Sequence, residues 1–137
     1  MRRRCALAGI ALALCACQGV PQRVLVPVPP ETAGGWVRRG LETADVADAP
    51  EPMRSLQARA WVRARYFREH MSVEVNAYGF ETTAGALESA QKWRPYDRAV
   101  ASLQGRDFIV CSSIDASRDE LQAFARNLEA AWFGSAR

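Results

Sequence analysis

Residues 58 to 79 alternate between apolar and polar side chains, as strands with one buried face do. The segment ARAWVRARYFR, residues 58 to 68, places its small or aromatic residues on one side: Ala60, Val62, Ala64 and Tyr66. After Glu69 and His70, the segment SVEVNAYGF alternates again, so the pattern predicts a hairpin. A helix over residues 52 to 68 competes with the first strand, because Leu56, Ala60 and Ala64 also fall at helical spacing, and the pattern leaves this choice open.

Two segments have the period of an amphipathic helix. The first, from Thr82 to Lys92, must end before Pro95, because a proline drives the preceding residue out of the helical region. The second begins with a capping box, in which Ser117 and Glu120 satisfy each other's backbone amides. The apolar residues behind this cap recur at helical spacing: Leu121, Phe124, Ala125, Leu128 and Trp132.

The segments AVASL and DFIVCSS, on either side of Gly105, predict a second hairpin. The predicted element order is therefore ββαββα. We expect an α+β fold in which two helices pack on one face of a four-stranded, mostly antiparallel sheet, because each apolar face must be covered. This domain would occupy residues 53 to 137.

The segment before it, residues 17 to 52, is predicted to be a tether. Its first half is rich in proline, which favours an extended backbone: Pro21, Pro27, Pro29 and Pro30. Alternating valines in VLVPVPP are also compatible with an edge strand, although the prolines disfavour it. Whether Trp36 packs against the domain stays open.

Residues 1 to 16 have the organisation of a secretory signal. Three arginines precede an apolar run of about a dozen residues, shorter than the ~20 that span a bilayer. The run ends in Leu14-Cys15-Ala16-Cys17, which resembles the lipobox of bacterial lipoproteins. The resemblance implies cleavage between Ala16 and Cys17 and attachment of acyl chains at Cys17. Two or more chains anchor a protein stably.

The residue after the lipidated cysteine carries a second implication of this resemblance. In bacterial lipoproteins an aspartate there tends to retain the protein in the inner membrane, whereas this chain has Gln18. The resemblance thus implies an outer-membrane protein that faces the periplasm.

Residues 56 to 133 also loosely resemble small secreted bacterial domains of unknown function, through a strand ending in Tyr-Gly-Phe, an Ala-rich helix and a Gly-Arg-aromatic strand. This second resemblance implies no catalytic residues.

The net charge of the chain changes once the signal is removed. The whole chain has 18 basic and 15 acidic residues. Removing residues 1 to 16 removes Arg2, Arg3 and Arg4 and no acid, which leaves 15 of each. The mature chain is then formally neutral, so we expect no nucleic-acid partner.

Cysteine chemistry offers one candidate catalytic site. Cys111 would be the only free thiol of the mature chain and His70 its only imidazole, and with Asp115 they could form a nucleophilic site. The competing interpretation is a buried cysteine in the apolar run Phe108 to Cys111, which we favour. No phosphate-binding loop or paired-histidine metal motif is found in the sequence, so we expect a non-catalytic protein without a cofactor or metal.

An arginine series offers the candidate binding surface. As a strand, residues 59 to 67 would project the following residues from one side: Arg59, Trp61, Arg63, Arg65 and Phe67. Guanidinium groups bind carboxylates and phosphates bidentately, although arginine stems can also simply cover aromatic rings on a solvated face. We expect a lipid-anchored binding module of the cell envelope, most simply for a protein partner. Its alternative ligand is an anionic envelope component, lipopolysaccharide or peptidoglycan.

The lipidation site generates the first testable prediction. Cys17→Ser should release the protein from the membrane fraction of a Gram-negative host, because the acyl chains have no other attachment point. Cys15→Ser serves as the control and should leave membrane attachment intact. Fractionation followed by immunoblotting measures both. A Cys17→Ser protein that remained with the membrane would contradict the lipoprotein interpretation.

Overall fold

The computed structural model describes residues 26 to 96 and 98 to 134. The signal, the lipobox and Cys17 lie outside the described residues. Six strands and two α-helices follow in order: β1 (Thr32–Ala33), β2 (Trp36–Thr43), β3 (Ala60–Arg68), β4 (Met71–Gly79), α1 (Thr83–Lys92), β5 (Ala99–Gln104), β6 (Asp107–Ser112) and α2 (Arg118–Phe133). A short 3-10 turn, Val46–Asp48, lies between β2 and β3. None of the described helices is both long and apolar enough to cross a membrane.

All six strands form one curled antiparallel sheet in the order β1-β2-β3-β4-β6-β5. The predicted hairpins β3-β4 and β5-β6 are confirmed, and residues 60 to 68 are a strand rather than a helix. The prediction of a four-stranded sheet is wrong. The two additional strands, β1 and β2, come from residues that the sequence pattern assigned to the tether.

The N-terminal strands escaped the pattern because little of β2 is buried. Only Trp36 of its eight residues is fully buried, so WVRRGLET shows no apolar alternation. Trp36 packs edge to face on Phe124 of α2, with ring centroids 5.3 Å apart. The Tyr66 hydroxyl donates a hydrogen bond of 2.6 Å to the carbonyl of Pro30, so the segment just before β1 is also attached to the core.

Both predicted helices are present. The Thr82 hydroxyl accepts from the amide of Gly85 at the start of α1. The predicted capping box of α2 is confirmed, because Ser117 accepts from the Glu120 amide and Glu120 accepts from the Ser117 amide. This cap fixes where α2 starts, and hence which of its residues face the sheet.

The helices pack on opposite faces of the sheet, so the prediction that both cover one face is wrong. One core cluster joins α2 to one face through Phe124 and Leu128 against Val75 and Cys111. The other joins α1 and residues 49 to 58 to the opposite face, at Tyr78, Phe108 and Val110. Successive strand residues point to opposite faces. The apolar run Phe108–Cys111 therefore feeds both clusters.

This packing generates a prediction about Trp36. Trp36→Ala should lower the free energy of unfolding by about 3–5 kcal/mol, because it removes a fully buried aromatic ring from the core. Val28→Ala is the matched control in the same N-terminal segment, since Val28 is 66% exposed, and should change stability by less than about 0.5 kcal/mol. Urea denaturation of both variants measures the difference. Equal stability would show that residues 26 to 43 do not pack on the domain in solution.

Candidate functional site

Among the described elements, no helix lies over one part of the sheet. α1 covers the end that contains Tyr78 and Phe108, whereas the other end of the same face stays accessible. We call this accessible area the open sheet face and define it by five side chains from three strands: Arg63, Arg65, Phe67, Glu74 and Ser112. None of these five is buried.

The structure brings together three of the five residues predicted as a binding surface. Arg63, Arg65 and Phe67 lie on the open sheet face. Trp61 lies on the same side of β3 but packs into the α1 core cluster, where it stacks on Tyr78 with ring centroids 5.7 Å apart. Arg59 precedes the strand and pairs with Glu81 at 3.3 Å, away from the open sheet face.

Acidic residues accompany the arginines, which the sequence analysis did not anticipate. Glu42 of β2 lies opposite Arg63 and contacts its guanidinium at 3.1 Å. Glu74 of β4 lies opposite Arg65 and contacts both guanidinium groups, Arg63 at 3.2 Å and Arg65 at 3.7 Å. The turn at Glu69 and His70 sets this register. Glu74 could therefore have been found from the sequence, whereas Glu42 could not, because β2 was not predicted.

Asn76 connects this charged cluster to the core. Its side-chain carbonyl accepts from the indole N–H of Trp61 at 2.9 Å, and its amide donates to Glu74 at 3.0 Å. The Arg63 guanidinium also lies 5.6 Å from the Trp61 ring centroid, within cation–π range. The carboxylate of Glu74 is thus held from two sides, and Arg63, which contacts Glu42, Glu74 and the Trp61 ring, is the more restricted of the two arginines.

The electrostatics of Glu74 follow from these contacts. Partial burial alone would raise the pKa of Glu74, but the hydrogen bonds from Asn76 and Arg63 and the charges of Arg63 and Arg65 outweigh it and hold the pKa below its ordinary value. Glu74 is therefore ionised near neutral pH. Its negative charge offsets only part of the positive charge beside it.

Two adjoining grooves cross the open sheet face. One, of about 550 Å³, runs between Glu42 and Glu74, and the other, of about 450 Å³, extends from Arg65 to Arg98 and Ser112. Both fall within the range of small-ligand sites. Together their described lining carries four arginines and two glutamates, a formal charge of +2: Arg39, Arg63, Arg65, Arg98, Glu42 and Glu74.

The second groove also offers neutral polar and apolar groups. Ser72 and Ser112 contribute hydroxyls, Tyr96 a half-exposed ring, and Ile114 a side chain that is 87% exposed. Hydroxyl and guanidinium donors beside exposed apolar surface are the composition of a binding surface with a polar rim.

The structure separates Cys111 from His70. Cys111 lies opposite Val75 and is buried in the α2 cluster, whereas His70 is in the exposed turn before β4. Val75, which lies opposite Cys111, follows His70 by five residues, a distance of roughly 16 Å along a strand at 3.3 Å per residue. The Asp115 carboxylate accepts from the backbone amide of Ser72 at 3.0 Å and from the Ser113 hydroxyl at 3.0 Å, so it holds a loop together.

Within the described ranges, no three His, Cys, Asp or Glu side chains are grouped closely enough to hold a metal ion.

No protein-family model matches the chain, and comparison with curated proteins and with solved structures gives no significant match. The candidate site is therefore defined by geometry and charge alone.

Burial of Cys111 generates a prediction about its reactivity. Desolvation raises the pKa of the Cys111 thiol to about 12, so the reactive thiolate is scarce at pH 8 in the folded protein. We expect a maleimide to label Cys111 only after unfolding in urea. Because the folded pKa exceeds the unfolded value, the folded state should also lose stability as pH rises from about 9 towards 12.

Mass spectrometry of the peptide that contains Cys111 measures labelling at this position apart from the other cysteines. Ser112→Cys, one residue further along β6 on the open sheet face, provides an accessible control and should react in the folded state. Rapid labelling of Cys111 in the folded protein would contradict its burial and would reopen the thiol-enzyme hypothesis.

Proposed function

We propose that the protein is a lipid-anchored, non-catalytic binding module of the cell envelope, and that it captures a protein partner on the open sheet face. The observation that carries this proposal is the ion-paired cluster of Arg63, Arg65 and Glu74 on a part of the sheet that no described helix covers. A sheet face that no helix covers usually meets solvent or another molecule. This one presents charges that are held in place before a partner arrives.

Preorganisation is what makes this face suitable for recognition. Long side chains lose rotamer freedom when they bind, and this cost lowers affinity. Here Glu42 and Glu74 already restrict Arg63, and Asn76 in turn holds Glu74. Paired positive and negative charges also favour partners of complementary pattern over uniformly charged ones, and so give specificity.

The proposed location follows from the lipobox resemblance. An acylated Cys17 would stand nine residues before the first described residue, a reach of up to roughly 28 Å for an extended segment. The domain would then work close to the periplasmic side of the outer membrane. Partners embedded in that membrane or attached to it would be within reach.

An anionic envelope ligand is the second candidate, and the formal charge of +2 among the described residues that line the grooves favours it. Arg65 and Arg98 could both contact a phosphate of lipopolysaccharide or a carboxylate of peptidoglycan, with serine hydroxyls nearby. Strong salt dependence without a protein partner would favour this candidate, because attraction between exposed charges is screened within about 10 Å at 0.1 M salt.

The experiment compares two arginines of equal exposure. Arg65 and Arg54 are both 58% exposed and both contact a glutamate, but Arg54 lies outside the open sheet face. Arg65→Gln should weaken capture of the partner from cross-linked envelopes about tenfold or more, as expected for losing hydrogen bonds to a charged group. Arg54→Gln should leave capture unchanged.

The outcomes separate the candidates. A protein recovered with the parent chain and with Arg54→Gln but lost with Arg65→Gln supports the proposal. Salt-sensitive binding to lipopolysaccharide vesicles or peptidoglycan fragments, with no cross-linked protein, replaces it with the anionic-ligand candidate. Equal capture by both variants excludes the open sheet face as the binding site.

A further inference from the structure

The strand at one end of the sheet, β5, has a second side without a strand partner. Within the described part of the chain, β5 pairs with β6 alone. A strand edge of this kind presents backbone N–H and C=O groups that can pair with another strand. This edge borders the second groove, because Arg98 directly precedes β5, but its outward backbone groups are not part of the open sheet face.

The β5-β6 hairpin determines which backbone groups point outward. Its two-residue turn is Gly105-Arg106, with Gly105 at φ +58°, so Gln104 and Asp107 form a hydrogen-bonded pair. Bonded and non-bonded pairs alternate along an antiparallel ladder. The even-numbered residues of β5 therefore bond to β6, and the odd-numbered ones point away. The bond from the Ser113 amide to the Arg98 carbonyl, at 3.1 Å, agrees with this alternation.

Three residues thus direct their backbone groups outward: Ala99, Ala101 and Leu103. The Ala99 amide already donates to the carbonyl of Tyr96 at 3.2 Å. This leaves two N–H donors, those of Ala101 and Leu103, and three carbonyl acceptors. Ala101 is exposed, and so is Leu103, an apolar side chain with 36% of its surface accessible.

The opposite edge of the sheet carries the features that normally prevent pairing, and β5 does not. There, β1 is only two residues long and follows Pro29 and Pro30, and β2 is charged and has a bulge between Arg38 and Gly40. Charge, proline and bulges all protect strand edges. In contrast, β5 reads AVASLQ, without a charge, a proline or a break in its register.

We propose that β5 pairs antiparallel with β5 of a second copy of this chain, around a two-fold axis at Ala101. In this arrangement the two Ala101 residues exchange a pair of hydrogen bonds. The amide of each Leu103 donates to the Ala99 carbonyl of the other copy. These four bonds use both free outward donors of each strand. The ladder of hydrogen bonds between the two copies ends at Ala99, because the Ala99 amide already donates to Tyr96.

Charge and packing select this register. With the axis at Ala101, Arg98 stands opposite Gln104 of the other copy, and Leu103 stands opposite Ala99. An axis at Ser102 would instead set Arg98 opposite Arg106, and like charges directly across a sheet are destabilising. The self-complementary pattern of donors and neutral side chains favours a second copy over an unrelated strand. The two sheets would join into one across the dimer.

The test changes the outward edge of the full-length chain and leaves its internal bonds in place. Ala101→Pro removes the outward N–H without removing a bond to β6, and proline is tolerated at such edge positions. Ala101→Lys places two like charges at the axis. We expect sedimentation velocity in detergent to show a dimer for the parent chain, and dimerisation weakened about tenfold or more for both variants. Ala47→Lys, at another exposed alanine, should remain dimeric.

Cross-linking in the envelope tests the same axis. Ala101→Cys should give a dimer band with a short bis-maleimide well above that of the parent chain, because the axis brings the two residues together. Circular dichroism checks that each variant folds, and Ala101→Lys decides if Ala101→Pro does not. A parent chain that stays monomeric at all concentrations would overturn the proposal, as would dimers unaffected by Ala101→Lys.

Discussion

The contact of Phe124 with two aromatic rings is the interaction on which the architecture depends. Phe124 packs edge to face on Trp36 and on Tyr66, with ring centroids 5.3 and 5.2 Å apart. These rings come from α2, β2 and β3, three parts of the chain that are distant in sequence. Edge-to-face pairs add stability beyond the burial of their area. This cluster therefore holds the N-terminal strands and the C-terminal helix on one side of the same sheet.

The opposite placement of the two helices explains why a binding surface exists. α2 covers one face of the sheet, while α1 is only ten residues long and covers one end of the other face. What α1 leaves uncovered is the open sheet face. A single helix of that length cannot cover strands of nine residues that lie side by side. The site exists because α1, with 10 residues, is shorter than α2, with 16 residues.

How well each element could be predicted from the sequence depends on how regularly its buried and exposed residues alternate. Strand β3, the first half of β4 and helix α2 were predictable because one side of each is more buried than the other. Strand β2 was not, because Trp36 is its only fully buried residue. The run Phe108 to Cys111 did contain a usable signal, since four consecutive apolar residues are typical of a strand covered on both faces. At the site, the arginines could be predicted from the sequence. Glu42 could not, because it lies on β2, which the sequence pattern did not predict.

The attachment of Pro30 to Tyr66 has a mechanical consequence. The Tyr66 hydroxyl and the Arg38 guanidinium both donate to carbonyls of the segment just before β1, Pro30 and Pro29 respectively. Tension applied through the N-terminal segment would therefore reach the sheet at β2 and β3 rather than at the exposed end of β1. It would load those side-chain bonds and the β2-β3 ladder first. Strand β5 lies across the sheet from this load path, with β3, β4 and β6 between it and β2, and would keep its shape longest while the chain is pulled.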